Sequence, residues 1–465
     1  MSWDELVASA LVGTARRPPA LPAADPESPL GQVLAAVDPD DHEGAILTAG
    51  GVLGLYRQAG ARPPADTGPA LPVCPPERRF LCSRAAAARL DAILDGRFRV
   101  VLGEWLDLAA AAERLVPPDR LPALLDAATT SAGLRGRVTA VVGERGRWLA
   151  GLNPAWAWAT GAADDTTAWA TGSAAARRLL LGRLRATDPA AARELLASTW
   201  ATETPEDRAA FVGLLATGLS MDDEPFLEAA LDDRRKEVRQ AAAHLLWRLP
   251  DSRLAARMAE RARPLVETSS LPAEVDAGMA RDGVVAKPPP GTGRRAWWLQ
   301  QLVAATPLRT WSGPSLVARG DPVLRAAWAT AAARQGNEEW ARALLDLDDV
   351  HEPALLDAVA PERAREVATG RVTRLGLTPA VLDLLDHVPQ PWGPELSGAV
   401  VDRLGEAVHR PRRDPALRAK IVDLALAVDP SVPASLEEPT VWWSDVVGWF
   451  LDLLTFRAEM REELC

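Results

Sequence analysis

The sequence predicts an all-α protein, an α-solenoid in which antiparallel helix pairs are stacked side by side. The first reason is composition. Of the 465 residues, 48% are apolar, yet there are only 6 phenylalanines and 1 tyrosine, and the dominance of alanine and leucine favours helix over sheet. The second reason is a stretch with the pattern of two short helices back to back. The third is a helix-start signal that recurs along the chain.

The clearest helix pair lies at residues 222–249. Asp222 and Asp223 are predicted to supply N-cap oxygens for its first helix, and Pro225 stands in a first turn that needs no N–H. Apolar residues then recur from Val238 at i, i+3, i+4, i+7, i+8 and i+11, the period of one helix face. Neither helix covers its apolar face alone, so the two must pack as a hairpin, and the hairpin needs a neighbour.

Within this pair, Asp233 in the turn is followed by Val238 and Arg239 and then by two alanines. This order resembles the HEAT-type repeat signature, in which a turn aspartate precedes Val-Arg and small residues. The resemblance implies a HEAT-like solenoid with Asp233 and Arg239 as its interacting repeat pair. An ordinary helical hairpin in a non-repeat bundle stays open as the alternative.

The N-terminal part of the chain alternates helical patterns with segments rich in proline and glycine. Helices are predicted from residue 3, at 32–37 and at 44–58, and residues 79–125 hold three more helical patterns. Between them, residues 15–30 and 59–76 carry too many breakers for regular structure.

A cap residue followed by proline marks helix starts through the rest of the chain. Spacings of roughly 16 and 20 residues between the first marks give a hairpin repeat of about 35, within the range of helical-pair arrays. The marks are Asp188-Pro189, Thr204-Pro205, Glu224-Pro225, Asp321-Pro322, Glu352-Pro353, Thr378-Pro379 and Asp414-Pro415.

A long, poorly periodic segment at residues 264–293 interrupts the rhythm and is either a functional loop or a linker. It divides the chain into an N-terminal repeat array (1–263), this Pro/Gly-rich connection, and a C-terminal repeat array (294–465). Arg281 and Asp282 in the segment are candidate partner contacts, as are Trp442 and Trp443 near the end. The last helix, predicted at 441–461, is apolar nearly all round, so it either closes the fold or docks on a partner.

The opening of the chain carries the pattern W-x-x-L-V-x-x-A-L-x-G-T-x-R from Trp3 to Arg16. It resembles the start of an uncharacterised bacterial family, a domain of unknown function often encoded beside MoxR-type AAA+ ATPases and von Willebrand A-domain proteins. The resemblance implies an accessory role for an AAA+ system and such a protein as partner. It implies no catalytic residues.

Net charge and cysteine usage restrict the function classes. A net charge of −11 argues against a nucleic-acid or anionic-membrane binder. Cys74, Cys82 and Cys465 have no paired spacing, so a reducing compartment is expected. An acidic N-terminus and no apolar run near 18 residues predict a cytoplasmic protein.

No motif predicts catalysis, a cofactor or a metal. The 5 histidines are scattered, and the chain lacks the ligand spacing of a zinc site and the glycine and lysine spacing of a phosphate-binding loop. Paired acidic residues stand at helix starts and turns, where capping explains them. Trp156 and Trp158, with Trp148 and Trp169 nearby, either pack in the core or stack on a ligand, and packing is the preferred interpretation.

These observations predict a non-enzymatic, protein-binding scaffold. The acidic charge suits a partner with basic patches. The alternative is a HEAT-like DNA-binding protein of the alkylpurine glycosylase type, which would need a basic groove lined by tryptophan.

Overall fold

The computed structural model describes residues 3–19, 25, 27–60, 71–160, 169–170, 172–267, 274–347, 349–409, 414–432 and 443–464. Within these ranges the chain forms 23 α-helices joined by short 3₁₀ turns and has no β-strand. The predicted all-α class is therefore confirmed. Two compact units are present, Met1–Val73 and Cys74–Cys465.

The first unit contains three helices around a small apolar core. These are α1 (Trp3–Val12), α2 (Pro29–Ala35) and α3 (His42–Gly60), and α3 packs against both of the others. Leu6, Leu34 and Ala49 are the buried centre of this core.

The second unit contains twenty helices over one continuous apolar core. They are α4 (Arg84–Leu94), α5 (Leu102–Ala111), α6 (Leu121–Thr130), α7 (Arg135–Val141), α8 (Gly143–Leu152), α9 (Ala174–Thr187), α10 (Pro189–Thr199), α11 (Pro205–Leu214), α12 (Glu224–Ala230), α13 (Lys236–Leu246), α14 (Arg253–Glu267), α15 (Ala277–Arg281), α16 (Arg294–Ala304), α17 (Pro322–Gln335), α18 (Glu338–Leu345), α19 (Pro361–Leu375), α20 (Pro379–Leu385), α21 (Pro394–Val408), α22 (Pro415–Ala427) and α23 (Ser444–Leu464). Helices on both sides of residues 264–293 lie in this unit, and the division into two repeat arrays stays a prediction.

Several predicted start signals cap their helices. Asp188, Asp321 and Asp414 each accept a hydrogen bond from the backbone N–H three residues later, with proline at the first helical position. Thr204 caps α11 in the same way. The mark at Glu352 differs, because Pro353–Ala358 is a 3₁₀ segment without a side-chain cap.

The predicted cap at Asp222 and Asp223 needs correction. Ser220 caps the 3₁₀ turn Met221–Asp223 that leads into α12, and its hydroxyl accepts from Asp222 N at 3.2 Å. The Asp223 carboxylate accepts from Ser220 N at 3.1 Å and so completes a capping box with Ser220 as the N-cap. The same fully buried carboxylate also binds Arg185 at 2.9 Å, a contact across 38 residues that the sequence did not predict.

Helices that are second neighbours in the sequence pack side by side in the larger unit. Helix α11 contacts both α9 and α13, α19 contacts α21, and α20 contacts α22. Successive helices such as α9 and α10, or α12 and α13, also pack as pairs. These contacts place helices of neighbouring pairs side by side at several points of the unit.

The last helix packs against the first helices of the same unit. Helix α23 contacts α4 and α5 as well as α22, and Phe456 meets Phe98 with ring centroids 5.2 Å apart. Its inward side chains, including Phe450 and Leu453, are fully buried. The apolar pattern of this segment is thus explained by burial within the chain.

Arg457 is the polar centre of that contact. Its side chain is 2% exposed. The guanidinium donates to Glu104 on α5 at 2.6 and 3.1 Å, and to the carbonyl oxygens of Ala425 and Val428 at 2.6 and 2.7 Å. One side chain thereby connects α23, the end of α22 and α5.

Candidate functional site

The predicted contact residues Arg281 and Asp282 belong to an ion-pair network inside the chain. Arg281 Nε lies 2.6 Å from Asp232 Oδ1, and one of its terminal nitrogens lies 3.0 Å from Glu228 Oε1. Asp282 is 1% exposed and accepts from Arg257 and Arg261 on α14. Both side chains hold α15 to the neighbouring helices, and their role as partner contacts stays a prediction.

The charge on Asp282 is stabilised by these neighbours. Burial alone raises the pKa of this carboxyl, but the hydrogen bonds from Arg257 and Arg261 outweigh it and hold the pKa below its usual range. Such a carboxylate stays ionised at neutral pH and is a poor proton donor or acceptor for catalysis.

The predicted repeat pair, Asp233 and Arg239, is joined through the aspartate backbone and not through its carboxylate. Arg239 donates to the backbone carbonyl of Asp233 at 2.8 Å. The Asp233 carboxylate lies 2.9 Å from Arg208 Nε on α11 and accepts from the Arg235 N–H at 2.8 Å. The aspartate thus connects its turn to the preceding helix pair, while the arginine holds the turn from within.

The structure describes one of the two tryptophans that were predicted as partner contacts near the C-terminus. Trp443, which precedes α23, is 1% exposed and part of the core. Trp442 lies outside the described residues. The earlier pair, Trp156 and Trp158, packs against the core, and their indole N–H groups donate to Asp126 and Thr129 at 2.8 and 3.1 Å, so their contacts favour packing over ligand stacking.

Helix α3 carries an apolar face that the small core of the first unit does not cover. Ala45 and Ala49 are buried, whereas Leu47 is 76% and Leu55 is 69% exposed. Leu47, Gly51 and Leu55 are spaced i, i+4, i+8 and so share one helix face. We call these three residues the exposed stripe.

Acidic residues precede the exposed stripe. Asp38, Asp40, Asp41 and Glu43 lie before or in the first turn of α3 and are all exposed. An apolar strip next to negative charge is typical of a protein-contact surface whose partner is apolar and basic.

A second feature lies where the end of α13 meets the end of α17. The Arg334 guanidinium carbon is 4.8 Å from the centroid of the Trp247 ring, and the His244 ring is also 4.8 Å from it. One turn before Arg334, Thr330 donates to Glu352 at 3.0 Å. We call His244, Trp247, Thr330, Arg334 and Glu352 the Arg334 cluster.

Two pKa directions describe the electrostatics of this cluster. Burial lowers the pKa of His244, and the Arg334 charge lowers it further. Burial also lowers the pKa of Arg334, partly opposed by the charge of Glu352. His244 is solvent-exposed by surface area, so it is accessible while the surrounding protein and Arg334 disfavour its positive form.

Comparison with known proteins places the chain in a family. A family model described as a family of unknown function, DUF5691, matches residues 5–464. The chain belongs to DUF5691. No curated protein and no solved structure matches it.

The DUF5691 match agrees with the resemblance of the opening motif to an uncharacterised family and spans nearly the whole chain. Among the residues of this DUF5691 chain that the structure describes, no three side chains of histidine, cysteine, aspartate or glutamate are grouped to hold a metal ion. No helix in the same ranges has the length and apolarity to cross a membrane.

Sequence reasoning missed both the exposed stripe and the Arg334 cluster. The stripe was visible as apolar spacing on α3, but spacing does not show which face the other helices cover. The cluster joins residues that are 90 apart in sequence number, from His244 to Arg334, and it extends to Glu352. Only the packing of helices that are far apart in the sequence brings these residues together.

Proposed function

We propose that this DUF5691 protein is a non-enzymatic protein-binding scaffold whose larger unit is a HEAT-like α-solenoid. The single observation that supports binding is the exposed stripe. Two leucines on one helix face, 76% and 69% exposed, leave apolar area in water that a partner would remove at a gain of roughly 25 cal/mol per Å².

The packing of second-neighbour helices supports the solenoid. In such an array each helix pair contacts its neighbours in sequence, as α11 contacts α9 and α13. The Asp233–Arg208 pair, which joins one turn to the preceding pair, is the kind of contact that repeats along a HEAT-like stack.

The occupant of the exposed stripe is a protein segment with apolar and basic side chains. The apolar part faces Leu47 and Leu55, and the basic part faces the acidic residues that precede α3. The resemblance of the opening motif makes a MoxR-type AAA+ ATPase, or a von Willebrand A-domain protein, the partner to test first, and the cytoplasm the expected compartment.

The test is co-expression of the full chain with a MoxR-type ATPase from the same genome, followed by size-exclusion chromatography. We expect the wild type to co-elute and the double variant Leu47→Glu/Leu55→Glu to elute alone. Leu179→Glu, which changes a 41% exposed leucine on α9, is the matched control and should co-elute.

Co-elution of the double variant would remove the exposed stripe from the proposal. Absence of a complex with either predicted partner would remove the AAA+ assignment. A mobility shift of alkylated duplex DNA, at a salt concentration that dissociates non-specific complexes, would favour the glycosylase alternative instead.

A further inference from the structure

The Arg334 cluster is built around a half-buried cation. Arg334 makes no ion pair and no hydrogen bond with any residue in the described ranges, although its guanidinium is half-buried and stacked on Trp247. By contrast, Arg325 on the same helix forms an ion pair with Asp349 at 3.1 Å. A guanidinium has five N–H donors, and removing them from water without an acceptor costs free energy.

The position of Arg334 is fixed by packing. Trp247 is 7% exposed and lies against Gly283, where an added Cβ would come within 2.9 Å of the indole. Since Gly283 has a positive φ of 93°, the tight approach depends on glycine at this place. The packed indole therefore fixes the surface on which the guanidinium stacks. Because the Arg334 side chain is already held in place, little conformational entropy is lost when a ligand binds it.

Two neighbouring groups bear on an incoming anion. The Glu352 carboxylate accepts from Thr330 and its charge acts on Arg334 from nearby, but it forms no ion pair or hydrogen bond with the guanidinium. His244 is accessible and becomes a second donor when it is protonated. Arg334 and His244 both lie against the Trp247 ring and their charges interact, and an arginine fork near an imidazole is suited to the oxygen atoms of one oxyanion.

We propose that the Arg334 cluster is a binding subsite for an oxyanion, a carboxylate or phosphate group of a ligand, held by the Arg334 fork with His244 beside it. The subsite does not depend on the exposed stripe, so either proposal can fail while the other stands. Carboxylate and phosphate share the chemistry of two adjacent charged oxygens and are separated by experiment.

The experiment follows the imidazole resonances of the five histidines in the full chain by ¹⁵N NMR through a pH titration. The probes are inorganic phosphate and acetate, each compared with sodium chloride at equal ionic strength. His244→Gln assigns the signal. An oxyanion held beside His244 should raise its pKa saturably, by about 1, because a nearby negative charge favours the imidazolium.

Three variants test the role of the fork. Arg334→Gln should abolish the saturable response, and Arg334→Lys should weaken it about tenfold, since an ammonium lacks the fork. Arg342→Gln, which removes an exposed arginine paired with Glu338 at 2.6 Å, is the control for lost charge and should respond like the wild type. Circular dichroism verifies that each variant is folded.

The outcome decides both the subsite and its ligand. A response to phosphate alone assigns a phosphate-bearing ligand, and a response to acetate alone assigns a carboxylate. If neither probe moves the His244 resonance beyond the sodium chloride baseline, or if folded Arg334→Gln responds like the wild type, the proposal is overturned.

Discussion

Replacing Arg457 by methionine should open the contact between the last helix and the first helices of the larger unit. Methionine keeps the apolar stem but removes four hydrogen bonds, two to Glu104 and two to the carbonyls of Ala425 and Val428. Each buried carbonyl left without a donor costs about 1–3 kcal/mol. Glu104 keeps Arg461 at 2.8 Å, so its own loss is smaller.

The expected decrease in the free energy of unfolding is about 3–5 kcal/mol, most of it from the two buried carbonyls that lose their donor. Arg461→Met is the matched control, because Arg461 binds the same Glu104 from the same helix but its side chain is 29% exposed. Its cost should be about 1 kcal/mol or less.

Urea unfolding measures the total change, and hydrogen exchange measured by mass spectrometry locates it. Exchange should rise in peptides from 84–111 and 444–464 and stay unchanged in those from 205–246, because the opening is local to the two ends. Equal costs for the two arginine variants, or uniform exchange throughout the unit, would refute the assignment of Arg457 as the centre of this contact.

Three further predictions concern the interior of the larger unit. Asp223→Ala leaves the fully buried Arg185 without its carboxylate and should lower the free energy of unfolding by about 3–5 kcal/mol, measured in urea. Because the pKa of Asp282 is lowered, the stabilisation from its charged form is present above the ordinary pKa near 4 and is lost as pH falls through the lowered pKa. The difference in free energy of unfolding between wild type and Asp282→Asn should therefore narrow from pH 7 to pH 2. A difference that stays constant would contradict this prediction. Gly283→Ala should cost at least about 2 kcal/mol from strain at positive φ and from contact with the packed indole, whereas Gly182→Ala, with nothing within 4 Å of the added Cβ, should raise the melting temperature.

Local signals in the sequence predicted helix starts well and long-range contacts poorly. Asp188, Asp321 and Asp414 cap their helices because a cap and its N–H are three residues apart. Asp223 also takes part in a cap, because its carboxylate accepts from Ser220 N, but its contact with Arg185, 38 residues away, has no local signal. Whether an aspartate makes such a second contact depends on the helix that packs against it.

Long-range contacts that the sequence does not reveal also set the surroundings of the candidate site residues. Arg281 and Asp282 were chosen because their segment lacked periodicity, but the carboxylates and arginines around them come from α12 and α14, which no local pattern connects to α15. Arg334 stood out in no sequence pattern, because an arginine without an ion-pair partner among the described residues is recognised only when the positions of the carboxylates around it are known. Burial of α23 was predictable from its apolar character, whereas the identity of its cover was not.

The pairing of Glu104 with Arg457 spans 353 residues, and this has a consequence for synthesis. Helices α4 and α5 are synthesised well before α23, which packs against them, so their apolar surface stays uncovered until residues 444–464 have been made. During that interval the nascent chain exposes a site suited to chaperones or to aggregation. A ribosome that stops before residue 444 would release a product whose early helices never acquire that cover.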